Sequence, residues 1–444
     1  MKKKFLAVLL TAAMAVSMLA GCGSKVASDG KVLNVYCWND EFQRRVQDHY
    51  PDYEIVDATT GKIGDVTVKW NITANADNAY QNNLDNTLLN QESAAADDKV
   101  DIFLIEADYA LKYIDSDYAL PIADLGIKEA DIADQYKYTQ DIVTDGKGVL
   151  KGLSWQGCPG VLFYNRDAAK EVLGSDDPAT VQAAVKDWDT FVATAEKAKA
   201  AGYNMVSSVM DTYRTYSNNV STKWVVDGKI KVDANLEKWV QDSKKLVDAG
   251  MAGTHSLWST EWSAGFYPEG KVFCYFGPAW LVNFSMAAKN EDGSWNTASI
   301  GGQGKWGATE GPQGFFWGGT WICAATGTDN GDLIKDIMLK LTTDATIMKG
   351  IVEKDDDFVN NKKAMEEMAN SDYTSYILGG QNPLKMYMNG VADLDLSNLS
   401  KYDQACNEEF QNAMKNYFDG NATYDEALEL FYKSVIEKHP ELSK

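Results

Sequence analysis

An α/β fold built as two domains is predicted for this chain by two regularities and by its length. Short apolar strands alternate with helical stretches in the first third, the order that produces right-handed βαβ units. Gly152-Leu153-Ser154-Trp155-Gln156-Gly157-Cys158-Pro159-Gly160 interrupts that alternation, and a Gly-rich stretch at 301–319 interrupts it again. The 444 residues exceed what a single core usually holds. A composition 45% hydrophobic and 24% charged belongs to a globular chain, not a disordered one.

The first segment is a leader. Lys2, Lys3 and Lys4 precede an apolar run at 5–19. That run falls short of the ~20 residues a membrane span needs, and small residues follow it, so residues 1–21 read as a secretory signal. Cys22, placed directly after Leu19-Ala20-Gly21, makes the segment resemble a bacterial lipobox. The resemblance implies cleavage before Cys22 and a lipid on its sulfur that anchors the exported protein to the outer face of the membrane. Residues 22–30 then read as the lipidated cysteine and a flexible tether.

The strands and helices follow. Val32–Cys37 reads as a strand, with Trp38-Asn39-Asp40 at its end and a helix at 41–50; Asn or Asp there suits an N-cap. A strand at 66–70 leads to a polar helix at 76–91. Asp101-Ile102-Phe103-Leu104-Ile105 is continuously apolar, as in a strand buried on both faces, and it ends in Glu106-Ala107-Asp108-Tyr109 before a short helix. Ligands bind beyond the carboxyl ends of such strands. Two polar clusters should therefore meet in one crevice. The break at 152–160 marks a first crossing between domains, and a strand at 161–167 resumes. A helix at 188–201, a strand at 205–210 ending in Asp211-Thr212-Tyr213-Arg214, and a strand at 272–276 ending in Gly277-Pro278-Ala279-Trp280 come next. The stretch 301–319 reads as the return crossing, before a strand at 320–325. The remainder reads as helical, closing with the amphipathic Tyr424–Lys438. These boundaries place 31–154 with 310–350 in one lobe and 159–305 with 355–444 in the other.

Composition excludes several functions. The formal charge is −22, and loss of the three leading lysines would deepen it. Such a chain repels nucleic acid and anionic lipid. Cys37, Cys158, Cys274, Cys323 and Cys406 form no C-x-x-C pair, and only His49, His255 and His439 are present. Zinc and a full disulfide framework are not expected. One disulfide fits an exported chain, and the spacing leaves its partners open. Asp355-Asp356-Asp357 lacks the spacing of a calcium loop and reads as a solvated acidic turn. No cofactor is called for, and no phosphate loop or Gly-x-Ser-x-Gly elbow occurs.

The 13 Trp and 22 Tyr are the unusual feature, since flat rings suit a sugar's CH face or a cation. Asn39 and Asp40 at a strand end, Arg214 after a second one, and Trp155, Trp317 and Trp321 at the crossings are binding candidates. Trp70, Trp188, Trp224 and Trp239 read as core or packing residues.

The order of elements resembles the extracellular solute-binding proteins of carbohydrate ABC transporters, the maltose-binding-like family. The marks are Tyr164-Asn165-Arg166-Asp167, Glu269-Gly270-Lys271 before the Val272 strand, Trp317-Gly318-Gly319-Thr320-Trp321 and the helical C-terminal third. The resemblance implies a two-lobe periplasmic-binding-protein fold, hinged by two or three crossing segments and closing on a ligand. It implies a monomeric, non-enzymatic receptor with an ABC permease as partner. Carried over by position, it makes Asp108 a polar sugar contact, Asp211 and Tyr213 a carboxylate and a stacking ring, and Trp280 a second stacking ring. Ile105 and Tyr109 stand where the family's prototype has an aromatic and a basic residue, so maltose is not carried over. Two other readings compete. One is a polyamine or cation receptor, compatible with the acidic balance. The other is a secreted glycoside hydrolase, which needs a carboxyl pair ~5–9.5 Å apart.

Overall fold

Two mixed sheets, described in a computed structural model over residues 25–444 apart from 291, 393, 395 and 397, organise the chain. The expected leader, Cys22 and the first part of the expected tether lie outside the described residues.

The first sheet runs in the order Tyr53–Ile55, Thr60–Ile63, Val66–Ile72, Val32–Cys37, Ile102–Glu106, Thr320–Ala324 and Leu153–Ser154. Val32–Cys37 pairs in parallel with both Val66–Ile72 and Ile102–Glu106, as the βαβ reading requires. Thr320–Ala324 joins antiparallel, setting Thr320 opposite Glu106 and Trp321 opposite Ile105. Ile102, Phe103, Leu104 and Ile105 are all buried, which explains their unbroken apolar run. The two edge strands at 53–63 form a hairpin absent from the sequence reading. They are short, and Glu54 and Ile55 are exposed, so no apolar alternation announces them.

The second sheet runs Trp306–Thr309, Pro159–Asn165, Val272–Pro278 and Asn204–Val206, with Phe315–Phe316 also paired to Pro159–Asn165. Pro159–Asn165 is covered on both sides: Val161 and Phe163 join one apolar cluster, Leu162 and Tyr164 the other. Successive side chains of a strand point to opposite faces, so each layer takes every second residue. Each such side chain adds about 1.5–3 kcal/mol when fully buried. The final helix Tyr424–Lys438 starts at a reciprocal cap, with the Glu426 carboxylate accepting from Thr423 N at 2.8 Å and Thr423 Oγ1 from Glu426 N at 3.3 Å.

The chain passes between the sheets where Gly and Pro accumulate. Residues 155–158 make the first passage and 317–319 the return, tied by Trp317 N donating to Cys158 O at 3.3 Å. The return thus falls later than the boundary at 310, because Phe315–Phe316 still pairs with the second sheet. A third segment runs beside them: Gly157 N donates to Phe358 O at 2.9 Å and Asn360 N to Trp155 O at 2.7 Å.

Asp355-Asp356-Asp357 corrects the expectation of a solvated turn. Asp355 and Asp357 are buried, and Arg45 reaches them at 2.8 and 3.6 Å. The distant Arg45 supplies the counter-charge that a local reading lacks, and His49 Nε2 stands 3.3 Å from Asp355. All five described cysteines are free and buried. No helix among the described residues is long and apolar enough to cross a membrane.

Candidate functional site

A cleft of about 380 Å³ opens where the crossings meet the strand ends. Trp38 and Asn39 reach it from the end of Val32–Cys37, Glu41 from the first turn of the helix Glu41–His49, and Glu106 from the end of Ile102–Glu106. Thr320 stands opposite Glu106 on the neighbouring strand, and Gln156 comes from the first crossing.

The other wall is aromatic. Trp258, Trp280, Phe284 and Trp317 line it. Trp258 lies 6.1 Å from Trp280 at 28° and 5.7 Å from Trp317 at 39°, while Trp280 and Trp317 meet at 5.3 Å and 65°. Trp280 is fixed by its indole N–H, which donates to Trp317 O at 3.1 Å. Trp258 and Phe284 are 49% and 54% exposed, so ring area is left for a ligand. Gly318 and Gly319 sit at φ +77° and +99°, and a Cβ on Gly319 would lie 3.0 Å from the Trp321 ring. Only glycine passes the return crossing this close to the rings.

The polar wall is wired to the third crossing. Gln156 Nε2 donates to Glu41 Oε1 at 2.8 Å and to Asp357 Oδ2 at 3.0 Å. Arg45 Nη2 lies 3.3 Å from Glu41 Oε1. Burial pushes the Glu41 carboxyl up to about 7, outweighing the pull of Arg45. Burial, reinforced by Asp108 and opposed by Arg214, also pushes Glu106 up.

Asn39, Trp280 and Trp317 are the sequence candidates that line this cleft. Asp108 and Arg214 are brought together with each other: Arg214 Nη1 donates to Asp108 Oδ1 at 2.8 Å, and Nη2 to the second oxygen. The remaining candidates lie elsewhere. Asp40 is exposed, 3.4 Å from Arg44, and Asn39 rather than Asp40 accepts from Glu41 N, at 3.1 Å. Trp155 is fully buried, stacked on Phe42 at 5.4 Å and 19° beneath the first helix. Trp321 is fully buried, its N–H donating to Thr139 O at 2.8 Å.

Asp211 and Tyr213 are corrected to core roles. The strand expected at 205–210 stops at Val206, and the turn Val209–Thr212 folds Asp211 back onto Ser208 N at 3.2 Å. Trp262 Nε1 donates to its other oxygen at 2.7 Å. Tyr213 Oη donates to Asn407 Oδ1 at 2.6 Å inside the second cluster.

Trp38, Glu41, Glu106, Gln156, Trp258 and Phe284 were not among the candidates. Glu106 carried a signal, since it ends an apolar strand. Trp258 carried none, because a loop places it.

A family model for bacterial extracellular solute-binding proteins matches residues 54–380. The chain belongs to that family. Among solved structures, this solute-binding protein is similar to an extracellular solute-binding protein of family 1, at 18% identity, with a TM-score of 0.71, 91% of this chain and 99% of the other being covered. It is also similar to an ABC-transporter-associated binding protein from B. animalis subsp. lactis Bl-04 in complex with β-1,6-galactobiose: 18% identity, TM-score 0.69, coverage 93% and 99%. A third is the galacto-N-biose/lacto-N-biose I-binding protein of Bifidobacterium longum, in complex with lacto-N-biose: 15% identity, TM-score 0.65, coverage 93% and 98%. These likenesses establish the two-lobe α/β fold. No curated protein sequence matches the chain.

Proposed function

We propose that this solute-binding protein captures a sugar or short oligosaccharide in the cleft at the crossings and hands it to an ABC permease. The carrying observation is the wall of Trp258, Trp280, Phe284 and Trp317 set against Asn39, Glu41, Glu106, Gln156 and Thr320. Rings cover the apolar CH faces of a pyranose, while amides and carboxylates pair with its hydroxyls. The sugars bound by the two bifidobacterial proteins of like fold support the reading. Capture needs no covalent chemistry: the ligand favours the closed arrangement by as much as it prefers closed over open. Cys22 would carry the lipid that holds the receptor outside the cell membrane, as a monomer beside its permease.

A thermal-shift screen against sugars of graded length and linkage tests this reading. Ligand at 100 times its Kd adds about 2.7 kcal/mol of stability and raises the midpoint. A panel in which no sugar shifts the midpoint would overturn it.

A further inference from the structure

Every ionisable side chain that lines the cleft is a carboxylate: Glu41 and Glu106 share it with the indoles, and among the described lining residues stands no Lys, Arg or His. The guanidiniums beside these carboxylates are already engaged. Arg45 serves Glu41 at 3.3 Å, Asp355 at 2.8 Å and Asp357 at 3.6 Å. Arg214 is held by both oxygens of Asp108. Glu106 accepts the backbone N–H of Asp108 at 2.7 Å, a bond that orients it without neutralising it.

Carboxyl groups therefore outnumber the cations at the polar wall, in a setting where burial makes an unpaired charge costly. A neutral sugar would satisfy hydrogen bonds there and bring the glutamates no counter-charge. An acidic sugar would meet carboxyl groups with no cation among the described lining residues to receive it. A cation answers both demands, since its charge meets the carboxylates and its exposed face meets Trp258, Trp280 and Trp317. Burial pushes both glutamates up, the direction expected of carboxylates that lack a full counter-charge.

We propose that the ligand of this cleft carries a protonated amine, as an amino sugar does, and that the amine seats at Glu106 among the indoles. The sugar part of this statement rests on the reading above, whereas the amine part rests on the charges alone. The net charge of −22 would further draw cations toward the molecule.

Calorimetry on the full chain separates the two parts. Glucosamine, galactosamine and their β1,4-linked dimers and trimers are titrated beside the N-acetylated and the 2-hydroxy counterparts, with spermidine as an amine without a sugar. The expected result is at least tenfold tighter binding of an amine-bearing sugar than of either counterpart. Glu106→Gln is expected to erase most of that ratio, with folding checked by the ligand-free midpoint. Proton release on binding, read as a dependence of the heat on the buffer, would also support the amine. Equal affinity for an amine-bearing sugar and its N-acetylated form overturns the amine and leaves the sugar reading. A ratio untouched by Glu106→Gln overturns the seat at Glu106. Spermidine binding alone overturns the sugar reading and supports the amine, and silence from every probe overturns both.

Discussion

Arg214 grips both carboxylate oxygens of Asp108, and the pair joins the end of the strand Ile102–Glu106 to the helix Tyr213–Ser217 that follows the second sheet. Two residues that looked like ligand contacts thus contact each other. The pair is half-buried, with side-chain exposures of 15% and 24%, so solvent screens it only in part. A second bridge lies nearby: Gln404 Nε2 donates to Asn78 Oδ1 at 3.1 Å. Both contacts exist only when the halves of the molecule are together.

Arg214→Ala should therefore open the ligand-free protein. A charge-assisted hydrogen bond contributes about 1.5–3 kcal/mol, and the apparent affinity drops with the fraction of molecules that are closed. We expect a larger radius of gyration in solution scattering and affinity lower by about tenfold. A radius unchanged from the parent protein would show that the pair does not hold the halves together.

Two tryptophans should separate binding from folding. Trp280→Ala removes a ring from the cleft wall and should weaken sugar binding by about 1–3 kcal/mol with the fold intact. Trp155→Ala instead empties a fully buried site and should lower stability by about 3–5 kcal/mol. Chemical denaturation and calorimetry on both variants check the contrast. Equal effects of the two substitutions on binding would contradict it.

Stability should fall as pH rises from 4 to 7. Burial raises Glu41, Asp211 and Asp403 to about 7. Between their ordinary values and about 7, the folded chain keeps protons that the unfolded chain has released. Each group's contribution is thus fully present below about pH 4 and is lost as pH approaches 7, by about 1.4 kcal/mol per pH unit. Burial also raises Asp355, but His49 and Arg45 outweigh it and hold its carboxyl below the ordinary range, so its contribution is lost only in stronger acid. The thermal midpoint should be higher at pH 5.5 than at pH 8, and Asp211→Asn should flatten that slope. An unchanged slope in the variant would remove Asp211 from the account.

Gly319→Ala should cost more than an ordinary surface substitution. Its φ of +99° strains any side chain, and the new Cβ would press on the Trp321 ring at 3.0 Å. We expect a midpoint lowered by several degrees, and closure altered with it, since the return crossing carries both. A midpoint within a degree of the parent's would argue that this crossing tolerates a side chain.

The sheets were legible where burial is two-sided. Residues 102–105 and 272–276 are apolar without interruption, and the first and return crossings declare themselves through Gly and Pro. The hairpin at 53–63 escaped because its strands are short and partly exposed. At the site, strand ends gave Asn39, and a Gly-Pro turn gave Trp280. Asp211 misled because Ser208, three residues earlier, captures it locally. Trp258 was invisible because its place depends on a loop set by Trp262 and Trp280, not on any periodicity.

A crystal structure of the full chain with the tightest-binding sugar of the thermal-shift panel is the most direct measurement. The sugar should lie in the cleft, one ring face on Trp280 or Trp258 and its polar groups within hydrogen-bond distance of Glu106 or Gln156. Density for that sugar anywhere else on the molecule, with the indole wall bare, would contradict the account.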